Sequence, residues 1–422
     1  MKVKVYPGKV SGTIKIPPSK SMSHRSIICA SLADGVSTIT NVAYSQDIKV
    51  TIEGMRQLGA KIECYDDKVV VEGIKGFNKL DNNEVFCKES GSTLRFFIPI
   101  FSLCNQQLRF TGENRLLKRP QKIYEEIFTK QEIDYHQDDD AITIGGKLKP
   151  GAYELAGNVS SQFISGLLFT LPLLDGDSTI TISEPYESRS YVDLTLEMLN
   201  RYGIKAEYIA SNILSIKGNQ KYKPCDYEIE GDYSQLGFFA VLGAINNDIK
   251  CIGLKHDSNQ GDKQIIDILK NAGANIELCD NGYLIHKSEL IENEIDLNDC
   301  PDLGPILTIM ALYTPRTRIY NAERLRYKES DRIDAMESEL IKLNADIKTS
   351  EGEIIIHGHN SYTCNEILSG HKDHRIVMSL AVAATLLDKP VIIEESEYIN
   401  KSYPAFFEDL NSLGIKVEKI DD

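Results

Sequence analysis

Arg201-Tyr-Gly-Ile-Lys-Ala-Glu207 decides the fold, because five versions of it recur along the chain. They are Gln57-Leu-Gly-Ala-Lys-Ile-Glu63, Thr129-Lys-Gln-Glu-Ile-Asp-Tyr135, Asn271-Ala-Gly-Ala-Asn-Ile-Glu277, Lys342-Leu-Asn-Ala-Asp-Ile-Lys348 and Ser412-Leu-Gly-Ile-Lys-Val-Glu418. Each closes a helix-like segment on a small or polar residue and opens a β-like run. The pivots Gly59, Gln131, Gly203, Gly273, Asn344 and Gly414 stand 72, 72, 70, 71 and 70 residues apart. Spacing this regular marks internal repeats. Gly and Asn suit the left-handed residue that ends a helix, and Gln131 suits it least.

After each pivot comes a polar turn and a second alternating run, such as Lys68-Val-Val-Val-Glu72 or Glu353-Ile-Ile-Ile-His357, so each repeat ends in a hairpin. The sixth repeat stops at Asp422 without its second strand. The alternating run Lys2 to Tyr6 has the pattern to supply it. Upstream of each hairpin, a short strand leads into a helix of small and apolar residues, then a strand, a loop and a second helix. Each unit therefore reads βαβαββ. Six units of about 70 residues exceed one core, which predicts two α/β domains of three repeats each. One comprises residues 1–17 and 231–422, the other residues 18–230. The chain passes between them twice, near Pro17-Pro18 and near Glu230-Gly231-Asp232, forming a two-strand hinge.

The 422 residues are 42% hydrophobic and 26% charged, an ordinary globular composition. A net charge of −15 argues against a nucleic-acid binder. The nine cysteines include no C-x-x-C pair, which points to reduced thiols in the cytoplasm rather than disulfides or zinc. The most apolar stretch, Ile164 to Leu174, is too short for a bilayer, and the first residues lack a signal peptide's apolar core. A soluble protein with no membrane partner is expected.

Aligning the repeats gathers the unusual residues into two strand-to-helix loops. The first loops hold Pro18-Ser-Lys-Ser-Met-Ser-His-Arg25, Glu89-Ser-Gly-Ser-Thr-Leu-Arg95, Val159-Ser-Ser-Gln162, Gly231-Asp-Tyr-Ser234, Cys300-Pro-Asp302 and His371-Lys-Asp-His-Arg375. The second hold Ser45-Gln-Asp47, Gly112-Glu-Asn-Arg-Leu-Leu-Lys-Arg119, Glu187-Ser-Arg189, Lys255 to Lys263, Arg326-Tyr-Lys-Glu-Ser-Asp-Arg332 and Asn400-Lys401. Helix starts offer free N–H groups and a partial positive charge, so hydroxyls, Lys and Arg collected there suit phosphate and carboxylate. A single Ser before a helix is ordinarily just an N-cap; repetition across units carries the anion-site reading, in a cleft between the domains. Asp302 and Glu329 lie among these cations, where a carboxylate would repel an anionic substrate unless it did acid–base work. His357-Gly-His359 lacks a third metal ligand nearby, and Gly-rich nucleotide fingerprints are absent.

Taken in order, Ser19-Lys-Ser-Met-Ser-His-Arg25, Gly112-Glu-Asn-Arg115, Ser160-Ser-Gln162, Lys328-Glu-Ser-Asp-Arg332, Asp373-His-Arg375 and Lys401-Ser-Tyr-Pro404 resemble the signature segments of the 5-enolpyruvylshikimate-3-phosphate synthases, among the enolpyruvyl transferases. The resemblance spans essentially the whole chain. It implies two inside-out α/β domains that close over the substrates. It also implies a monomer that transfers the enolpyruvyl group of phosphoenolpyruvate to the 5-hydroxyl of shikimate 3-phosphate without metal or cofactor, in the shikimate pathway to chorismate and the aromatic amino acids. Ser21, Arg25, Ser160, Ser161, Ser188, Asp302 and Lys328 are then expected to hold shikimate 3-phosphate, with Arg189 and Tyr191 close by. Gly91, Arg115, Arg332, Arg375 and Lys401 are expected to hold phosphoenolpyruvate, and Lys20 and Gln162 to touch both. Asp302, Glu329 and Lys20 are the candidate catalytic groups.

The chain departs from the commoner pattern at Glu89-Ser-Gly-Ser-Thr93, Arg324, His24 and Pro18. The sister transferase acting on UDP-N-acetylglucosamine would show Lys-Asn at Lys20-Ser21 and a Cys between Gly112 and Arg119, and neither is present. A six-repeat DNA clamp would carry its cations on helix faces rather than in loops. Gly91 is retained, and in this family a larger residue there crowds the inhibitor glyphosate. Glyphosate is expected to inhibit competitively with phosphoenolpyruvate, and an inhibition constant in the high-millimolar range would contradict that reading.

Overall fold

A computed structural model of the chain describes residues 1–359 and 361–420. Its contacts divide into two units, Pro18–Ile229 and the combination of Met1–Pro17 with the chain from Glu230 onward. The break after Ile229 falls one residue ahead of the boundary read from the sequence.

Each repeat contributes two helices. In the unit starting at Pro18 these are α1 (Lys20–Leu32), α2 (Gln46–Gln57), α3 (Gly91–Ser102), α4 (Lys122–Lys130), α5 (Ser161–Thr170) and α6 (Arg189–Arg201). The unit holding the N-terminus has α7 (Tyr233–Ile245), α8 (Gln264–Asn271), α9 (Gly304–Ala311), α10 (Arg332–Lys342), α11 (His374–Ala384) and α12 (Phe406–Ser412). The first helix of every repeat is buried on nearly all sides and therefore interior, α1 with polar Ser23, His24, Arg25, Ser26 and Ser31 among its buried residues. Every residue of α7, α9 and α11 is buried. In α1, α3 and α5 only Lys20, Ser21, Ser92 and Gln162 escape burial, all in the first turn. The second helices bury one face only, as in α8 with Ile265, Ile266 and Leu269. Helices thus pack against helices inside each unit, while three sheets form its outside with alternating buried and exposed residues. This is an inside-out α/β architecture.

The sheets repeat one topology. In the second repeat Glu84–Phe86 runs parallel to Gln107–Thr111, which pairs antiparallel with Ala141–Gly145, itself antiparallel to Asp134–Gln137. The third and fifth repeats are built the same way. The first and fourth differ from the simple reading, because their leading strands are exchanged. Thr13–Lys15, just before α1, pairs with Ile249–Ile252 of the fourth repeat, and Tyr227–Glu228, just before α7, pairs with Val36–Thr40 of the first. Each strand stays with the unit the chain is leaving and covers a sheet edge that would otherwise expose unpaired N–H and C=O groups.

The sixth sheet is completed by the N-terminus. Lys2–Val5 lies between Val391–Ile393 and Val417–Ile420, antiparallel to both. The leading strand shrinks to one bridge, Leu368 to Ile393.

Five of the six pivots hold the left-handed conformation: Gly59, Gly203, Gly273, Asn344 and Gly414. Gln131 does not. The left-handed residue of the second repeat is Glu132, at φ 57°, while the Gln131 amide bonds to the Lys149 backbone and to Tyr153 Oη. A left-handed non-glycine residue costs about 1–2 kcal/mol. Glu132→Gly is therefore expected to stabilise the protein by about 1 kcal/mol, read as a higher midpoint in urea unfolding, and an unchanged or lower midpoint would contradict this account.

Candidate active site

In the unit starting at Pro18, the expected site residues lie at or near the starts of α1, α3, α5 and α6, with Arg115 in the loop before α4. Ser19 caps α1, its Oγ accepting from Met22 N–H. Lys20 Nζ reaches Asp47 Oδ2 at 2.8 Å, and Asp47 belongs to the first turn of α2. Arg25 is buried one turn further on. Its Nε donates to Thr195 Oγ1 at 2.8 Å, Nη1 to Ser21 O at 2.8 Å and Nη2 to Tyr191 O at 2.9 Å, so three of its five N–H donors tie α1 to itself and to α6. Burial pushes this guanidinium down to about 10. Thr195 Oγ1 also meets Ser165 Oγ at 2.8 Å, which draws in α5. Ser160 caps α5, its Oγ accepting from Gln162 N–H. Ser188 stands in the left-handed region just before α6, where Arg189 lies over the Tyr208 ring at 4.3 Å.

Gly91 opens α3 in a confined space. A Cβ there would sit 2.8 Å from Arg119 Nη1, 3.4 Å from Gln162 Oε1 and 3.7 Å from Arg95 Nη1. The Gln162 amide is fixed at both ends, Oε1 accepting from Arg95 Nη1 at 2.7 Å and Nε2 donating to Ser92 Oγ at 2.9 Å. Two guanidinium groups, a carboxamide and helix-start amides thus surround a residue without a side chain. Sequence reasoning picked Arg115 from this loop. The structure leaves Arg115 exposed and brings Arg119, buried, against Gly91. Arg119 was visible in the quoted motif, but spacing alone does not say which Arg turns inward. Arg95 and Asp47 were also missed as site neighbours, although both lay in segments singled out by the repeat alignment.

The other unit presents ions rather than hydroxyls. Asp302, in the turn before α9, accepts at Oδ1 from Lys328 Nζ and Arg332 Nη1, each at 3.2 Å, and at Oδ2 from Arg375 Nη2 at 3.1 Å. Arg332 opens α10 with its side chain 1% exposed. It also pairs with Asp373, Nε to Oδ2 at 2.8 Å, and with Glu329 Oε2 at 2.9 Å. Glu329 Oε1 lies 3.7 Å from Lys401 Nζ, likewise buried. Asp373 caps α11 and fixes Arg375, whose Nη2 also donates to Ser234 Oγ at 2.9 Å. Asp302, Lys328, Glu329, Arg332, Arg375 and Lys401 therefore share one cluster. Asp373 and Ser234 complete it, in motifs the sequence flagged without assigning those two a role.

Burial would raise the Asp302 carboxyl, but Arg375, Lys328 and Arg332 together hold it well below the usual carboxylate range. It is an ionised acceptor at neutral pH. Burial would lower Arg332, yet Asp373, Glu329 and Asp302 keep it above an ordinary guanidinium. Lys328 goes the other way: burial pushes it down to about 8, with Arg324 and Arg332 adding repulsion that Asp302 only partly offsets. The two histidines set aside as metal ligands face different partners, His357 Nδ1 towards Asp346 and His359 Nε2 towards the Asn344 carbonyl.

The profile of EPSP synthase (3-phosphoshikimate 1-carboxyvinyltransferase) matches residues 5–410. The chain belongs to the EPSP synthase family. It is 48% identical over 417 residues to the 3-phosphoshikimate 1-carboxyvinyltransferase of Clostridium perfringens (strain 13 / Type A), covering 98% of both chains. It is 45% identical over 420 residues to the Clostridium kluyveri enzyme of the same name, covering 99% of this chain and 98% of that one. Among solved structures, an EPSP synthase from Acinetobacter baumannii superposes with a TM-score of 0.79 at 25% identity, over 99% of this chain and 100% of that one. The enolpyruvyl transferase NikO from Streptomyces tendae, 16% identical, shares the fold at a TM-score of 0.79, over 99% and 98% of the two chains. As an EPSP synthase, this protein transfers the enolpyruvyl group of phosphoenolpyruvate to shikimate 3-phosphate in aromatic biosynthesis. Among the described residues, no helix is long and apolar enough to cross a membrane.

Two of the departures from the family pattern meet in space. His24 Nδ1 lies 2.7 Å from Thr51 Oγ1, Thr51 Oγ1 lies 2.7 Å from Thr93 Oγ1, and Thr93 Oγ1 donates to Ser90 Oγ at 2.7 Å. Because Thr93 spends its proton on Ser90, Thr51 donates to Thr93 and His24 must donate from Nδ1.

The low pKa of Lys328 has a thermodynamic consequence. Between about 8 and its ordinary value of 10.5 the unfolded chain carries the proton and the folded chain does not. Stability therefore rises with pH across that window, and at neutral pH the buried ammonium is a net cost. In denaturation from pH 7.5 to 10, the stability of wild type relative to Lys328→Met is expected to climb by up to roughly 3 kcal/mol, and a flat difference would refute the shift.

Proposed function

We propose that the two clusters serve one reaction on one pair of substrates. Shikimate 3-phosphate is taken by Ser21, Arg25, Ser160, Ser161, Ser188, Asp302 and Lys328. Phosphoenolpyruvate is taken by Gly91, Arg332, Arg375 and Lys401, with Arg115 and Arg119 at the Gly91 end. Lys20 and Gln162 touch both. The carrying observation is the Asp302 carboxylate, held ionised between Lys328, Arg332 and Arg375.

Bond formation between the 5-hydroxyl oxygen and C2 of phosphoenolpyruvate requires the hydroxyl proton to leave and a proton to reach the methylene carbon. The product of this step is a tetrahedral ketal phosphate. Elimination then removes a proton from the new methyl group as phosphate departs. Asp302 accepts the hydroxyl proton. In the free protein its basicity is suppressed by three cations; as substrate phosphate and carboxylate engage those cations, its lone pairs are released and its proton affinity rises. Glu329 and Lys20 serve the methylene carbon and the departing phosphate, where a positive group also stabilises the developing charge. The nine cysteines are all free thiols, which supports a cytoplasmic, reducing location. A monomer is the simplest working form.

A phosphate-release assay tests this reading. Release should require both substrates. Asp302→Asn should lower kcat by about 10²-fold or more, the usual scale for a lost general base, and wild-type turnover in that variant would remove Asp302 from the chemistry. Arg375→Ala should raise the KM for phosphoenolpyruvate far more than that for shikimate 3-phosphate.

A further inference from the structure

Below the ionic cluster lies a second buried carboxylate that the chemistry does not use. Glu339 sits two turns into α10 from Arg332, with its side chain 2% exposed. Lys342 Nζ donates to both its oxygens, at 2.9 and 2.8 Å. Its other main donors come from outside the helix: Ser369 N–H to Oε2 at 2.9 Å and His371 Nε2 to Oε1 at 2.8 Å. Burial would raise this carboxyl, but His371, Lys342 and the Ser369 amide hold it below its ordinary value. A helix that needed only to fill a core would place an apolar residue there; a buried charge persists where its partners are fixed in return.

What Glu339 fixes is the loop leading into α11. His371 and Lys372 are both left-handed, at φ 50° and 54°, although neither is glycine. Two such residues in succession persist only where the surroundings impose them. A second carboxylate grips the loop from the other side, Glu395 Oε2 accepting from Ser369 Oγ and from Lys372 N–H, each at 3.1 Å. Glu395 begins the segment that ends at Lys401. The next residue after the loop is Asp373, which caps α11 and binds Arg332. One four-residue loop is therefore tied to all three arms of the cluster: α10 with Arg332, α11 with Arg375, and the segment with Lys401.

We propose that Glu339 is a positioning residue for the anion-binding arginines, holding the Ser369–Lys372 loop so that Arg332, Asp373 and Arg375 stay in register. The proposal rests on the reading that Arg332 and Arg375 hold phosphoenolpyruvate.

Steady-state kinetics on the full chain with Glu339→Ala, His371→Ala, His371→Gln and Arg375→Ala, alongside melting temperatures, tests it. Glu339→Ala should raise the KM for phosphoenolpyruvate about tenfold or more, with the KM for shikimate 3-phosphate changed by less than about twofold. His371→Ala removes one donor from a half-exposed position and should raise the same KM roughly threefold with little change in melting temperature, while His371→Gln, which can still donate to Glu339, should restore it. A Glu339→Ala protein that melts lower but keeps the wild-type KM would make Glu339 a core strut only and overturn the proposal. If Glu339→Ala does not fold, the His371 pair decides: a wild-type KM in His371→Ala overturns it. An unchanged KM in Arg375→Ala would instead sink the underlying assignment, whereas a raised one with Glu339 and His371 variants unaffected sinks the positioning role alone.

Discussion

A guanidinium group removed from water is costly unless every lobe is met by a compensating charge. Arg332 is buried in this way, and the carboxylates of Asp302, Glu329 and Asp373 that meet it come from different stretches of chain. Much of that unit follows from satisfying this one side chain. The start of α10, the turn before α9 and the cap of α11 must converge, and interior helices that differ little in burial bring their first turns to the same place. The other unit solves the equivalent problem with hydroxyls, amides and a carboxamide, leaving Lys20 paired to Asp47 and Arg25 spread over backbone carbonyls. One repeat, used six times, thus yields one half in which the cations are paired mainly by carboxylates and another in which most of them are held by hydroxyls, carbonyls and a carboxamide.

The repeats were legible because a left-handed helix end is a steric demand that only a few residues meet cheaply, and Gly59, Gly203, Gly273, Asn344 and Gly414 announce it. Where the demand is met by Glu132 instead, the signal slips by one residue, since nothing in a Glu marks a positive φ. The partner of the N-terminal strand was legible from a missing strand at the far end. The exchange of Thr13–Lys15 and Tyr227–Glu228 between repeats was not, because segments this short show no periodicity that names a sheet. Side-chain direction was equally hidden. Arg115 and Arg119 lie on the same short segment, and only packing around Gly91 tells the inward one from the exposed one. Glu339 looks in sequence like any surface glutamate of an amphipathic helix.

Departures from a family pattern are most informative when they touch. His24 and Thr93 read as separate oddities, and in space they are linked through Thr51 into a chain of short hydrogen bonds that ends at the cap of α3. A buried histidine needs a partner for its ring nitrogens, and Thr93 passes that requirement on to Ser90. The two departures are joined by one hydrogen-bonded chain, which ties the second turns of α1 and α2 to the start of α3.

The N-terminal strand sets a timetable for biosynthesis. Lys2–Val5 is synthesised long before the strands on either side of it, Val391–Ile393 and Val417–Ile420. At about 5–20 residues per second that interval lasts roughly 20–80 s, during which a strand-forming segment of alternating Lys and Val has no native neighbour. The unit starting at Pro18 needs Tyr227–Glu228 to close its first sheet, and its chain is complete at Ile229, well before Val391 is made. The unit that contains Lys2–Val5 therefore completes its last sheet only after the chain of the Pro18–Ile229 unit is finished, and Lys2–Val5 waits longest of its strands for native neighbours.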